Sequence, residues 1–124
     1  MAKKVQATWR RDASARLTLP GLLPAGYPRR MRTTDQVVRN PSGLHARPAA
    51  LFVRTAAGFA SRITLENVDR ASPPIDAKSI LAVMGSGVST GHTIRLTADG
   101  PDEDAAIDAL EALVASGMGE TIPG

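Results

Sequence analysis

The feature that most constrains this chain is a change of hydrophobic period along residues 33–117. Segments in which every second residue is apolar alternate with segments in which apolar residues recur every three or four positions. The first spacing is typical of a half-buried strand, and the second is typical of an amphipathic helix. Because the links between these segments are short, their order predicts an α+β fold with helices packed on one face of a mainly antiparallel sheet.

The alternating segments locate the strands. They predict strands over 33–39, 62–66 and 92–98. In the last of these, Ile94, Leu96 and Ala98 share the side that should face the core. Residues 69–76 are ambiguous, because the adjacent Pro73 and Pro74 fit only an edge strand or a loop.

Three further segments have helical spacing or helix boundary residues. They predict helices over 46–60, 79–84 and 101–117. Pro48 suits a first helical turn, because its missing N–H would have no intrahelical partner there. The last helix opens with Asp102, Glu103 and Asp104, where the helix dipole favours anions, and Gly117 is a natural stop.

Charge divides the chain into two parts. Residues 1–30 hold seven basic and one acidic side chain, a net +6, whereas residues 31–124 hold eight basic and eleven acidic side chains, a net −3. We therefore expect a basic disordered extension over 1–30, one folded domain over 31–117 and a flexible tail over 118–124. Met31 offers an alternative start of translation. The basic arm could touch nucleic acid or an acidic partner, but we expect no nucleic-acid contact from the domain.

Composition excludes several kinds of site. The chain has no cysteine, so it holds neither a disulfide framework nor a thiolate metal site. A metal or hydrolytic site built on His45 and His92 is an alternative that lacks a carboxylate at ligand spacing, and we expect no metal. Apolar runs fall far short of the roughly 20 residues that span a bilayer. We therefore expect a soluble, cytoplasmic protein without membrane insertion.

The stretch SGLHARPAA, residues 42–50, predicts an anion site. His45 stands where the first helix begins, and a helix N-terminus presents free N–H groups and a partial positive charge. Arg47 adds a planar cation that can hold phosphate oxygens. These positive surroundings favour a neutral imidazole with a free ring nitrogen. We expect a phosphorylated His45, with the phosphate held by Arg47 and by the amides of Ala46 and Arg47; the competing interpretation is a helix cap beside a surface ion pair.

The same residues match a known pattern in order. The segment from Gly43 to Ala49, GLHARPA, resembles the active-site segment of the HPr family, the histidine-containing phosphocarriers of the bacterial phosphoenolpyruvate-dependent sugar phosphotransferase system. Residues 78–84 resemble the second signature of that family, and residues 100–114 resemble its closing helix. The resemblance implies an open-faced β-sandwich, in which three helices cover one face of four antiparallel strands. It also implies that Nδ1 of His45 carries the phosphate.

The resemblance further implies a relay. Family members take phosphate from phosphorylated enzyme I, which takes it from phosphoenolpyruvate, and pass it to IIA components of sugar permeases. We therefore expect a monomeric carrier, not a complete enzyme, that uses no cofactor. A regulatory HPr-like interaction domain, serving nitrogen-branch or catabolite signalling, is the alternative.

The short helix over 79–84 has apolar residues on more faces than one core can cover. We expect Ile80, Leu81 and Met84 to form an exposed docking patch; the alternative is that all three belong to the core. Ser79 suits the N-cap. By resemblance, Ser79 also matches the serine that a dedicated kinase phosphorylates in many Gram-positive members, where the modification recruits a catabolite regulator.

Overall fold

The computed structural model describes residues 31–123, so the predicted basic extension lies outside the described part of the chain. Seven helices and strands follow in order, with a 3₁₀ turn at Val68–Arg70 between the second and third strands. They are β1 (Arg32–Val37), α1 (Ala46–Ala57), β2 (Arg62–Asn67), β3 (Ile75–Asp76), α2 (Ile80–Gly85), β4 (Thr93–Asp99) and α3 (Glu103–Ala115). Within residues 31–123, no helix has the length and apolar character needed to span a bilayer.

The four strands form one antiparallel sheet in the order β1-β4-β2-β3. The helices pack on one face of this sheet. On the other face, Thr97 of β4 lies in register with Thr33 of β1 and Thr64 of β2, and all three are at least partly exposed. The predicted α+β open-faced sandwich is therefore confirmed.

The core lies between this sheet and the helices. The alternation predicted for β4 is confirmed, because Ile94, Leu96 and Ala98 are fully buried. The helices add aliphatic residues and one aromatic ring at spacings of three and four. These buried side chains are Ala49, Phe52 and Ala56 of α1 and Ile107, Leu110 and Val114 of α3.

The inward side of β1 is polar, unlike that of β2 and β4. Thr34 Oγ1 donates to the Glu111 carboxylate of α3 at 2.6 Å, and Gln36 Nε2 donates to the Glu111 carbonyl at 3.3 Å. Arg32 pairs with Asp108 of α3 at 3.0 Å. Hydrogen bonds and ion pairs thus fix the position of α3 along the edge of the sheet.

The segment with two prolines forms only a minimal edge strand. β3 contains Ile75 and Asp76, which lie opposite Leu65 and Thr64 of β2. Pro73 and Pro74 precede it in irregular structure. Their missing N–H groups explain why the strand is this short.

Both long helices are shorter than predicted. α1 ends at Ala57 instead of residue 60, because Gly58 closes the last turn with a bond to the Thr55 carbonyl at 3.2 Å. α3 begins at Glu103 instead of residue 101. Asp102 lies at its N-cap position, but its carboxylate binds the chain that follows α1 and does not cap α3.

The chain continues to contact the sandwich beyond residue 117, where the sequence predicted the domain to end. Gly117 (φ +93°) does end α3, and the N–H of Met118 bonds to the Leu113 carbonyl at 3.2 Å in a Schellman-type closure. Met118 is fully buried. Two residues later, the Glu120 carboxylate accepts hydrogen bonds from Asn40 and Ser42. The folded domain therefore extends at least to Glu120, into the segment predicted to be a flexible tail.

Asp102 forms an acid-sensitive link between α3 and the chain that follows α1. Its carboxylate accepts from the N–H of Ala60 at 2.8 Å, the N–H of Ser61 at 2.9 Å and Ser61 Oγ at 2.5 Å. Burial alone would raise the pKa of Asp102, but these hydrogen bonds together lower it below its ordinary value. Because the folded pKa is the lower one, the stabilisation is present above the unfolded pKa, near pH 4, and is lost as the pH falls through the folded pKa.

We predict that Asp102→Asn lowers the free energy of unfolding by about 1–3 kcal/mol at pH 7, because an amide cannot accept all three hydrogen bonds as an anion. The loss should shrink as the pH falls below about 4, because protonation of the unfolded chain there begins to remove the stabilisation that the carboxylate gives the folded state. Urea unfolding at pH 7 and pH 3 measures both effects. Asp108→Asn, which weakens only the exposed ion pair with Arg32, is the control and should lose less than about 1 kcal/mol. Equal losses in the two variants would contradict the role given to Asp102.

Candidate functional site

A tight turn positions the start of α1. Asn40 is fully buried, and its Nδ2 donates to the Gly43 carbonyl at 2.9 Å, while the Gly43 N–H donates to the Asn40 carbonyl at 3.1 Å. Gly43 has a φ of +60°, and a Cβ there would collide with the Val88 carbonyl oxygen. The next N–H, of Leu44, donates to that same Val88 oxygen at 3.1 Å. Only glycine permits this approach, so the turn is fixed against the loop before β4.

His45 is the N-cap residue of α1. Its backbone is extended (φ −78°, ψ −173°), and its carbonyl accepts the first helical bond from the Ala49 N–H at 2.8 Å. The imidazole makes no capping hydrogen bond, and the residue is exposed. The backbone of His45 therefore begins the helix, while its ring remains available at the surface.

Groups with positive charge or free N–H donors follow this ring in the first turn of α1. Ala46 and Arg47 form the exposed first turn of α1, where backbone N–H groups have no intrahelical acceptor. No acidic residue occurs in that turn. Within residues 31–123, Arg47 has no carboxylate within salt-bridge distance. The predicted site residues His45, Ala46 and Arg47 thus come together at one helix mouth, an arrangement that suits an anion.

Glu120 is a residue of this site that the sequence did not indicate. It accepts from Ser42 Oγ at 2.5 Å, from Asn40 Nδ2 at 2.9 Å and from the Ser42 N–H at 3.0 Å. These hydrogen bonds, led by that of the Ser42 hydroxyl, lower the pKa of Glu120, and the charge of Arg47 lowers it further. The apolar Met118 just after the predicted helix stop was the one available signal that the chain continues onto the domain.

Three apolar side chains of the short helix α2 are exposed to solvent. Leu81 is 80% exposed, Met84 41% and Ile80 38%, whereas Val83 faces the core. The alternative that all three are core residues is therefore wrong. α2 packs beside α1, which carries His45 at its start. We call Ile80, Leu81 and Met84 the apolar patch.

Ser79 occupies the predicted N-cap. Its Oγ accepts from the Ala82 N–H at 3.2 Å, in the first turn of α2. The residue is half-buried. Ser79 therefore caps the helix that carries the apolar patch.

His92 has a structural environment. Its Nδ1 accepts from the Ser89 N–H at 3.1 Å and lies 3.3 Å from the Nδ2 of the buried Asn67. Since a backbone N–H can only donate, Nδ1 is the unprotonated nitrogen in this arrangement. In the described part of the chain, no group of three or more His, Cys, Asp or Glu side chains is placed to hold a metal ion.

Comparison with known families agrees with this geometry. The model of the PTS HPr component phosphorylation site matches residues 33–116. That range contains all three helices, the turn before α1 and all four strands except the first residue of β1. The match therefore covers the whole sandwich and not His45 alone.

Related proteins fall into two size classes. The chain is 41% identical over 85 residues to a multiphosphoryl transfer protein of Haemophilus influenzae, a match that covers 68% of this chain but 17% of that protein. It is 41% identical over 90 residues to the phosphocarrier protein HPr of Cupriavidus necator, covering 73% of this chain and 98% of that protein. The chain thus spans a minor part of the larger relative and nearly all of the smaller one.

Solved structures give the same picture. HPr-C-His from Thermoanaerobacter tengcongensis matches with a TM-score of 0.69 and 44% identity, over 73% of this chain and 99% of that one. Crh, a catabolite repression protein of Bacillus subtilis, matches with a TM-score of 0.54 and 41% identity, over 71% of this chain and 94% of that one. Because the family model matches most of the chain, the chain belongs to the HPr family of phosphotransferase-system phosphocarriers.

Proposed function

We propose that this chain accepts a phosphoryl group on His45 from phosphorylated enzyme I and passes it to IIA components of sugar permeases. The observation that carries the proposal is the exposed, uncapped imidazole of His45 at the mouth of α1, with Arg47 in the first turn. A free ring nitrogen attacks phosphorus, so a P–N bond forms while the bond from phosphorus to the donor breaks and leaves its electron pair on the donor. The family resemblance assigns the attack to Nδ1.

The surroundings of His45 suit a group that must leave again. Arg47 and the amides of the first turn stabilise phosphate oxygens through charge-assisted hydrogen bonds. Because the ring is exposed and not enclosed, solvent competes with these contacts and limits how tightly the phosphate is held. The partner must supply much of the alignment for in-line transfer. The chain is then a cytoplasmic relay that completes no reaction by itself.

The apolar patch is the proposed docking surface for these partners. Leu81 projects almost fully into solvent, and the flexible Met84 side chain beside it can adapt to differently shaped surfaces. Because α2 packs beside α1, a partner seated on the patch would also reach His45. Burial of the patch would supply affinity, while the charge of Arg47 would steer acidic partner surfaces into place.

A regulatory role is the second candidate. It is favoured by the likeness to Crh, whose name refers to catabolite repression, and by the position of Ser79 at the start of the helix with the apolar patch. A phosphate on Ser79 would gain from the α2 dipole but would add negative charge where partners dock. In this interpretation, a serine kinase would modify Ser79, and a catabolite regulator would bind the modified form.

We predict that enzyme I and labelled phosphoenolpyruvate will transfer acid-labile, base-stable label to the wild type and none to His45→Ala. Arg47→Ala should slow labelling about 10–100-fold, because it loses a charge-assisted contact to the transferred group. Arg62→Ala, on the open face of the sheet, is the matched control for lost charge. Label that persists on His45→Ala would defeat the assignment of the site.

For the apolar patch, we expect Leu81→Ala to raise the KM for enzyme I about tenfold, since an exposed anchor contributes to binding and not to the fold. The kcat and the free energy of unfolding should change little. Val68→Ala, at another exposed apolar residue, should leave KM unchanged. Steady-state labelling with purified enzyme I measures both variants; equal KM values for them would remove the patch from the docking surface.

Ser79 can be tested by separating its two roles. Ser79→Asp keeps a good N-cap and adds a charge, so it should slow labelling of His45 severalfold while the fold stays intact. Ser79→Ala should cost about 1 kcal/mol of unfolding free energy and leave labelling normal. Phosphopeptide mapping of protein from sugar-fed cells is the direct test. A serine that stays unmodified there leaves only the capping role.

A further inference from the structure

We propose that Glu120 is a positioning residue of the phosphoacceptor site, which holds the turn before His45 and places a fixed negative charge beside the point where the phosphoryl group arrives. The inference rests on the proposed function of His45. It assigns a role in phosphoryl transfer to the segment after α3, which the sequence pattern left as a tail.

The contacts of Glu120 converge on one turn. One carboxylate oxygen, Oε1, accepts from Asn40 Nδ2 at 2.9 Å and from the Ser42 N–H at 3.0 Å, while Oε2 accepts from Ser42 Oγ at 2.5 Å. Ser42 lies three residues before His45. A side chain at the end of the domain thus connects to the backbone that leads directly into the N-cap of α1.

The buried Asn40 depends on Glu120 for its orientation. Its amide nitrogen has two hydrogens, and these donate to the Gly43 carbonyl at 2.9 Å and to Glu120. Its Oδ1 is buried without a hydrogen-bond partner among the described residues. Both bonds that fix the amide therefore come from its nitrogen. Removing Glu120 would leave a buried donor unpaired beside the turn.

The charge of Glu120 opposes the product. The Glu120 carboxylate binds Ser42, three residues before His45, and is ionised at neutral pH as an ordinary glutamate is. The charge of Arg47 helps to lower the pKa of Glu120 further. A phosphoryl group on His45 brings further negative charge to the same helix mouth, where it must share Arg47 with Glu120. This competition raises the free energy of the phosphorylated form relative to the free form. The carrier therefore gives up its phosphate more readily.

The test separates charge from hydrogen bonding. Glu120→Gln keeps the length of the side chain and an acceptor oxygen but removes the charge. We expect the transfer equilibrium with enzyme I to shift about two- to fivefold toward the phosphorylated chain, the scale of an exposed charge pair. Ser42→Ala keeps the charge and loses one hydrogen bond; it should leave that equilibrium near the wild-type value but raise the KM for enzyme I. Glu66→Gln, on the open face of the sheet, is the matched charge control.

The experiment measures the ratio of phosphorylated to free chain at equilibrium with phosphorylated enzyme I on a native gel. Circular dichroism shows whether each variant is folded. An equilibrium in Glu120→Gln equal to that in Glu66→Gln would overturn the role of the charge, and an unchanged KM in Ser42→Ala would overturn the role of the turn. A wild type that is not phosphorylated by enzyme I would instead refute the proposed function. The wild-type sample therefore distinguishes failure of the proposed function from failure of the role given to Glu120.

Discussion

The site depends on the close approach of two loops at Gly43. The backbone of the turn before α1 lies against Val88, and the Leu44 N–H bonds to the Val88 carbonyl at 3.1 Å. Val88 follows α2 by three residues, so this contact joins the loop that ends the helix with the apolar patch to the turn that begins the helix with His45. Because any Cβ at Gly43 would separate the loops, one backbone contact fixes both the direction of α1 and its position relative to the patch.

Two different kinds of packing hold the helices on the sheet. α1 contributes Phe52, a fully buried ring, to the apolar core, whereas the edge strand β1 meets α3 through hydrogen bonds and ion pairs that centre on Glu111. Apolar contacts tolerate small shifts, but hydrogen bonds have strict geometry and set the position of α3 along its axis. That position determines where the chain emerges after Gly117, and so why the Glu120 carboxylate reaches the turn at Ser42.

Most of the fold could be predicted from the sequence, because its strands and helices follow their own periods. The pattern located β4 and the core side of its alternation, the Ser79 cap and the helix mouth at His45. It misplaced the ends of both long helices, and it predicted a flexible tail where residues 118–120 contact the sandwich. Those features depend on contacts between residues distant in the chain: Asp102 binds Ser61, and Met118 enters a core that no local pattern describes. Glu120 was missed for the same reason, since its partners lie 78 and 80 residues away.

An exposed site has an energetic consequence for a relay. A buried imidazole would gain stronger electrostatic contacts to its phosphate, but each contact would have to be broken again before transfer to the next protein. At the mouth of α1, the helix amides and Arg47 would attract the anion, while, in our proposal, Glu120 and the surrounding water would weaken its hold. A carrier must accept the phosphoryl group on its ring from one partner and give it up from the same ring to another. A phosphorylated form of intermediate free energy therefore serves a carrier better than a very stable one. The same balance would apply to the apolar patch if it is the docking surface, because an exposed surface of three side chains could guide docking and still let a partner leave.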